Sequence, residues 1–103
     1  MIKTLIKERN NIIESINVSG HANAGKYGND LVCAGVTAIM NGALNALDTL
    51  VGECVDLKVL DNEIIIKVLK KENVEVQRLL LFLKIQLKTI EVQYPKNLNI
   101  MEE

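Results

Sequence analysis

One order of patterns occurs twice in the sequence and most constrains its fold: two short apolar strands joined by a tight turn, then a long helix. In the first half, residues 2–7 and 12–18 read as strands, separated by Asn10-Asn11, a pair that tolerates the positive φ of tight turns. Apolar residues three and four apart then predict a helix over about 31–51, which Asp30 or Asn29 can cap and Gly52 is placed to end. This half is predicted to fold as ββα.

The second half repeats this order and adds a short strand. Apolar and charged residues alternate on both sides of Asp61-Asn62, which is a two-residue turn of the hairpin type. Asn73 can cap a helix over 74–94 that Pro95 ends, and residues 98–100 alternate as a last strand would. The order ββαββα(β) predicts an α+β fold, an antiparallel sheet with two helices on one face. Residues 1–103 are expected to form a single domain.

Composition and charge narrow the function classes. The formal net charge is −1, and Lys and Arg are spread along the chain, so we expect no direct nucleic-acid binding by bulk electrostatics. The longest uninterrupted apolar run, Leu79–Leu83, is far too short to cross a membrane, so no membrane association is expected. Two cysteines without an export signal indicate reduced thiols and a cytoplasmic location.

The segment 20–35 contains the only histidine, one of the two cysteines and four of the six glycines. Its start fits the phosphate-loop pattern G-x-x-x-x-G-K, but Tyr27 stands where Ser or Thr would ligate Mg²⁺, and the preceding strand is predicted to pair in a hairpin. A metal site could use His21, Asp30, Cys33 and Cys54, yet their spacing matches no recognised zinc pattern. We therefore expect neither a metal nor a cofactor.

A third interpretation is nucleophilic catalysis. If Asp30 is the N-cap, Cys33 is the third residue of the helix, where unpaired backbone N–H groups and the helix dipole favour a thiolate. His21 is the only histidine that could act as its base, and Asp30 could orient the imidazole or only cap the helix. The same residues also fit a purely structural role, with a buried cysteine and an incidental histidine. The residue types alone leave both interpretations open.

The stretch "SGHANAGKYGNDLVCAGVTAI" resembles the ribosomal-processing cysteine protease family, the Prp family. Its signature is Gly-His-Ala or Gly-His-Ser, a Gly-containing loop, and Asp-hydrophobic-Val-Cys-Ala followed by Gly or Ala at the start of a helix. The matching residues are Gly20, His21, Ala22, Gly28, Asp30, Val32, Cys33, Ala34 and Gly35. Thr37 departs from an expected Ser but keeps the hydroxyl. The resemblance extends over the whole chain.

The resemblance implies a cysteine protease with Cys33 as the nucleophile and His21 as the base. The implied substrate is the N-terminal extension of a large-subunit ribosomal protein, removed before or during ribosome assembly. The loop that would cover this substrate contains Gly20, Gly25, Lys26, Tyr27 and Gly28. The alternative is a non-catalytic binding module for a ribosomal protein or an assembly factor, using the same loop.

The second helix carries more apolar residues than one face can bury, which predicts a homodimer. Its core-facing stripe is predicted to be Val76, Leu79 or Leu80, Leu83, Leu87 and Ile90, and that of the first helix Val32, Val36, Ile39, Ala43, Leu47 and Leu50. Several of Leu81, Phe82, Ile85 and Val92 must then point away from the core. A two-fold contact would cover this row, and the family resemblance also implies a dimer. The alternative is that the tail, residues 96–103, folds over this face within one chain.

Overall fold

The computed structural model describes residues 1–20 and 27–103, and for residues 27–30 it describes the backbone alone. The elements in chain order are β1 (Ile2–Arg9), β2 (Ile12–Ser19), α1 (Tyr27–Val51), a 3₁₀ turn (Gly52–Cys54), β3 (Val55–Leu60), β4 (Glu63–Val68), α2 (Val74–Gln93) and β5 (Leu98–Glu102). The α+β class and the order ββαββα(β) are confirmed. The turns also lie where they were expected, and Asn10 and Asn11 both have positive φ, at 53° and 65°.

The strands form one sheet in the order β3-β4-β2-β1-β5. β1 with β2, β2 with β4 and β3 with β4 are antiparallel pairs, whereas β5 lies parallel to β1, with Ile2 beside Leu98. The sheet is therefore mixed rather than wholly antiparallel. The reason is that β5 follows α2, and a helical connection can bring the chain back in either direction, whereas a tight hairpin cannot.

One face of the sheet is covered by the two helices, and the core lies between them. The buried residues of α2 are Val76, Leu80, Leu83 and Leu87, as its predicted stripe requires. On α1 the stripe ends differently, because Leu50 is 54% exposed while Val51 is buried. The next buried residue after Leu47 is therefore four positions along the helix, at Val51, rather than three. Met40, which was not in the predicted stripe, is also buried. The prediction for Leu50 was wrong.

Leu31–Cys54, which is most of α1 with the turn after it, is long and apolar enough to cross a membrane by length and composition alone, with a mean hydropathy of 1.3. The expectation from uninterrupted runs did not detect this, because scattered polar residues break up an otherwise apolar segment. Core helices of folded domains meet the same criterion. In this fold the side of α1 that carries Val32, Val36 and Met40 packs in the core.

Polar side chains fix α2 against the sheet. The Asn73 side-chain oxygen accepts a hydrogen bond from the Val76 backbone N–H at 2.9 Å, which confirms it as the N-cap. The Gln77 amide binds both backbone groups of Ile13, accepting from its N–H at 2.8 Å and donating to its carbonyl at 2.9 Å. In the middle of the helix, Lys84 pairs with Glu8 and with Glu102. α2 is thereby tied to β1, β2 and β5.

Candidate functional site

Gly20 directly follows β2 and directly precedes His21, the candidate base, in the sequence. Its backbone N–H donates to the carbonyl of Asn62, in the turn between β3 and β4, at 3.2 Å. Its φ is +82°, and a Cβ built on it would lie 2.6 Å from the backbone oxygen of Met1. Both the backbone angle and the space require glycine. The sequence placed Gly20 in a substrate loop, and the structure shows a sterically fixed position that directs the chain into residue 21.

Cys33 lies on α1 and is half-buried, packed against the core cluster. Its neighbours Val32 and Val36 are buried, so this part of the helix is held firmly against the sheet. At Gly35 an added Cβ would lie 3.8 Å from Cδ1 of Ile90, which shows that α2 lies close to α1 here. The candidate nucleophile therefore stands on a rigid support, as the positioning of a reacting group requires.

The start of α1 corrects two predictions about this site. The helix begins at Tyr27 rather than at residue 31, so Asp30 is its fourth residue and not the N-cap, and Tyr27 and Gly28 belong to the first turn rather than to a loop. An acidic residue is favoured both at a cap and in the first turn, where it interacts with the helix dipole, so the sequence signal fitted either position. Asp30 as an orienting residue for His21 stays a prediction.

The same shift moves Cys33 away from the helix N-terminus. It is the seventh residue of α1, beyond the first four residues whose N–H groups lack intrahelical partners. The expected activation by unpaired backbone N–H groups and by the helix dipole was therefore wrong, because the dipole effect falls off within the first turn. If Cys33 is an activated nucleophile, a side-chain base has to activate it.

Cys54 differs from Cys33 in burial and chemistry. It is completely buried at the end of the 3₁₀ turn, and burial, together with the nearby Glu53 carboxylate, raises the pKa of its thiol. A raised pKa leaves less thiolate at neutral pH, so Cys54 is suited to packing rather than to nucleophilic attack. This agrees with the structural role expected for it.

Several other predicted site residues lie outside the described part of the chain, namely His21, Gly25 and Lys26. Within the described ranges, no group of three or more His, Cys, Asp or Glu residues could hold a metal ion. The phosphate-loop alternative requires a strand of a parallel sheet before the loop, but β2 lies between two antiparallel neighbours. That alternative is excluded by the topology.

Sequence reasoning missed Asn62 and Met1, the two residues that enclose Gly20. Both act through backbone oxygens, so their side-chain types gave no signal. They lie beside Gly20 because β1 and β4 are the neighbours of β2 in the sheet. The pairing of β2 with β4 joins residues about fifty positions apart, and only that pairing could have identified Asn62.

Comparison with known proteins identifies the fold and the chemistry. The sequence profile described as "Cysteine protease Prp" matches residues 1–99. The chain belongs to the Prp cysteine protease family. The Staphylococcus aureus ribosomal processing cysteine protease Prp is 34% identical over 90 residues, covering 85% of each chain. The crystal structure of S. aureus Prp in complex with a substrate peptide matches with a TM-score of 0.92 at 30% identity, covering both chains completely.

A second S. aureus Prp structure, in complex with a covalently linked product peptide, matches with a TM-score of 0.88 at 31% identity over both complete chains. The Prp fold is therefore shared from β1 to β5. As a member of the Prp family the chain is a cysteine protease, which confirms the enzyme class expected from the resemblance.

Proposed function

We propose that this Prp-family chain is a cysteine endopeptidase that removes the N-terminal extension of a large-subunit ribosomal protein during ribosome assembly. The observation that carries the proposal is the match, over the whole of both chains, with a Prp protease that binds a substrate peptide. Two local features support it. Cys33 is the less buried of the two cysteines and stands on a rigid helix, and Gly20 leads directly into His21.

The proposed reaction is acyl transfer to sulfur. The Cys33 thiolate attacks the carbonyl carbon of the scissile peptide bond, and a C–S bond forms as the carbonyl oxygen takes the negative charge. Protonated His21 gives its proton to the leaving amine as the C–N bond breaks. His21 then takes a proton from water as the oxygen of that water attacks the thioester carbonyl, and the C–S bond breaks to release the carboxyl product and the Cys33 thiolate. His21 carries each proton in turn and is protonated again at the end, so no metal or cofactor is needed for the balance.

The test is cleavage of the extended ribosomal protein from the same genome, followed by mass spectrometry. The wild-type chain should produce one shortened protein and one released extension. Cys33→Ala should abolish cleavage and still bind the substrate, because only the sulfur is lost, and Cys54→Ala serves as the matched control that still cleaves. Continued cleavage by Cys33→Ala would show that the nucleophile is wrongly assigned. Binding without any cleavage by the wild-type chain would favour the non-catalytic binding module.

The proposed enzyme is a homodimer, and an exposed apolar row on α2 supports this. Phe82 is 66% exposed and Val92 is 80% exposed, while Leu81 and Ile85 also point outward. Phe82 also lines an apolar cavity of about 520 Å³ between α1 and α2, together with Gly42 and Ala43. Soluble monomers rarely expose a continuous apolar area of this kind. β5 pairs at the sheet edge and leaves the row uncovered.

Light scattering coupled to gel filtration tests the dimer. The wild-type chain should have about twice the mass of the 11.5 kDa monomer at micromolar concentration. Phe82→Asp should shift it toward the monomer, because a charge would be buried without a partner in the contact. Lys58→Asp, an exposed change on β3, is the control and should leave the mass unchanged. A wild-type mass near that of the monomer would disprove the dimer.

The location and the remaining partners follow from the same proposal. We expect the enzyme to act in the cytoplasm, where ribosomal proteins are made, without direct contact with nucleic acid or with a membrane. The small net charge and the spread of Lys and Arg along the chain support the absence of contact with nucleic acid. The cleavage rate should therefore stay unchanged when RNA is added to the assay.

A further inference from the structure

The Cys33 side chain is directed toward one edge of the sheet. Gly35 lies on the side of α1 next to α2, since a Cβ added there would be 3.8 Å from Cδ1 of Ile90. Cys33 is two residues earlier, which is about 200° around the helix, so its side chain is on the side of α1 away from α2. α2 contacts β5, whereas α1 contacts β3 at the opposite edge of the sheet. The candidate nucleophile therefore points toward the β3 edge.

Val59 on β3 is exposed on the same face of the sheet as the helices. It lies opposite Ile64, and Ile64 lies opposite Val18, so the three side chains share one face. Ile64 and Val18 are buried beneath the helices, whereas Val59 is 66% exposed. The row therefore leaves the core at β3. It does so at the end of the sheet that leads into His21, because Val18 is two residues before Gly20.

We propose that Val59 is a specificity-determining residue, whose side chain contacts an apolar side chain of the substrate bound beside Cys33. This inference rests on the proposed function. β3 is an edge strand and pairs, among the described strands, with β4 alone, so the backbone groups on its outer side are open to an extended peptide. Alternate side chains of such a peptide face the helix side, where Val59 and the half-buried Leu57 are both apolar. An apolar substrate residue there removes the exposed surface of Val59 from water.

Leu60, the next residue of β3, provides a matched comparison. It is 51% exposed and belongs to the same edge strand, but successive side chains of a strand point to opposite faces. Leu60 lies opposite Glu63, on the face of the sheet without helices. A substrate bound beside Cys33 contacts the side chain of Val59 and not that of Leu60. The same substitution at both positions therefore separates a contact on the helix face from a general change in the edge strand.

Steady-state cleavage of a peptide that spans the processing site of the extended ribosomal protein tests this contact. Val59→Lys should raise KM about tenfold with kcat nearly unchanged, because a charge against an apolar substrate residue weakens binding away from the chemistry. Val59→Thr, which replaces one methyl group by a hydroxyl, should raise KM about threefold. Leu60→Lys is the control and should keep the wild-type KM. An unchanged KM for Val59→Lys disproves the contact, and so does an equal rise for Leu60→Lys.

Charge complementation identifies which substrate residue is in contact. A set of peptides carries Glu at one position at a time, over about four residues on each side of the scissile bond. One of these peptides should be cleaved with a lower KM by Val59→Lys than by the wild type, because the two new charges are opposite. Leu60→Lys should improve none of them. If Val59→Lys improves no peptide, or if Leu60→Lys improves the same one, the assigned contact is overturned.

Failure of the proposed function gives a different pattern. If the wild type cleaves no peptide, the assignment of this substrate fails by itself. The contact is then judged by fluorescence anisotropy of the labelled peptide with Cys33→Ala. Weaker binding when Val59→Lys is added to Cys33→Ala, but not when Leu60→Lys is added, supports the contact. Equal binding by the two double variants, or no binding at all, disproves it.

Discussion

Gly20→Ala is the change that most directly tests how the fold sets up the site. A non-glycine residue at a φ of +82° carries a strain of about 1–2 kcal/mol. The added Cβ would also lie 2.6 Å from the Met1 backbone oxygen, whereas ordinary contacts begin at 3.4 Å, so the strand must shift by the difference. That shift is resisted by the adjacent hydrogen bond from the Ile2 N–H to the Asn97 carbonyl at 2.8 Å.

The two costs together predict a loss of about 2–4 kcal/mol in the free energy of unfolding. For a chain of this size the midpoint of thermal unfolding should fall by about 10–25 °C. Gly42→Ala is the matched control, since it lies inside α1 and, apart from the adjacent residues and the helix's own backbone, no atom of the described residues lies within 4 Å of its added Cβ. It should stabilise the chain by about 0.5–1 kcal/mol.

Urea unfolding followed by circular dichroism measures both variants. Peptide cleavage, assayed where Gly20→Ala is still folded, should fall as well, because the strained residue directly precedes His21. If Gly20→Ala unfolds within about 0.5 kcal/mol of the wild type, the steric argument is refuted. A variant that is as stable as the wild type but inactive would show that Gly20 acts on cleavage by directing residue 21 and not through the stability of the fold.

Three further predictions concern the cysteines, a helix cap and a charged contact. Iodoacetamide should label Cys33 much faster than Cys54 at neutral pH, because burial shields the Cys54 thiol and raises its pKa; equal rates in a peptide map would contradict this. Asn73→Ala should cost about 1 kcal/mol of unfolding free energy, whereas Asn45→Ala, an exposed change within α1, should cost none. The hydrogen bonds from two lysines of α2 lower the pKa of Glu102 below 4.5, so its contribution to stability is present above that pH and is lost as the pH falls further; the stability difference between wild type and Glu102→Gln should vanish in acid.

Much of this fold could be predicted from local sequence signals. The Asn73 cap, the turns at Asn10-Asn11 and Asp61-Asn62, and the alternation along the strands each depend on residues a few positions apart, and all appear in the structure. The end of α2 before Pro95 is equally local. These elements could be predicted because short-range backbone preferences decide them.

The features that could not be predicted depend on distant pairing or on ambiguous chemistry. The β2–β4 and β1–β5 pairs join segments far apart in sequence, so neither the parallel β5 nor the contact of Asn62 with Gly20 had a local signal. The start of α1 was missed by four residues because Asn29 and Asp30 suit a cap and a first turn alike. The helix-dipole argument for Cys33 depended on the predicted start of α1 and was wrong for the same reason.

The parallel pairing of β5 with β1 has a consequence for how the chain is made. β1 is synthesised before β5, and its outer edge stays unpaired until the residues of β5, more than ninety positions later, have been made. An unpaired edge strand invites pairing with other chains, and contacts between such distant segments form slowly. The Ile2 N–H that bonds to the Asn97 carbonyl lies next to Met1, whose backbone oxygen encloses Gly20. The return of the chain into β5 therefore also completes the support of the backbone beside Gly20.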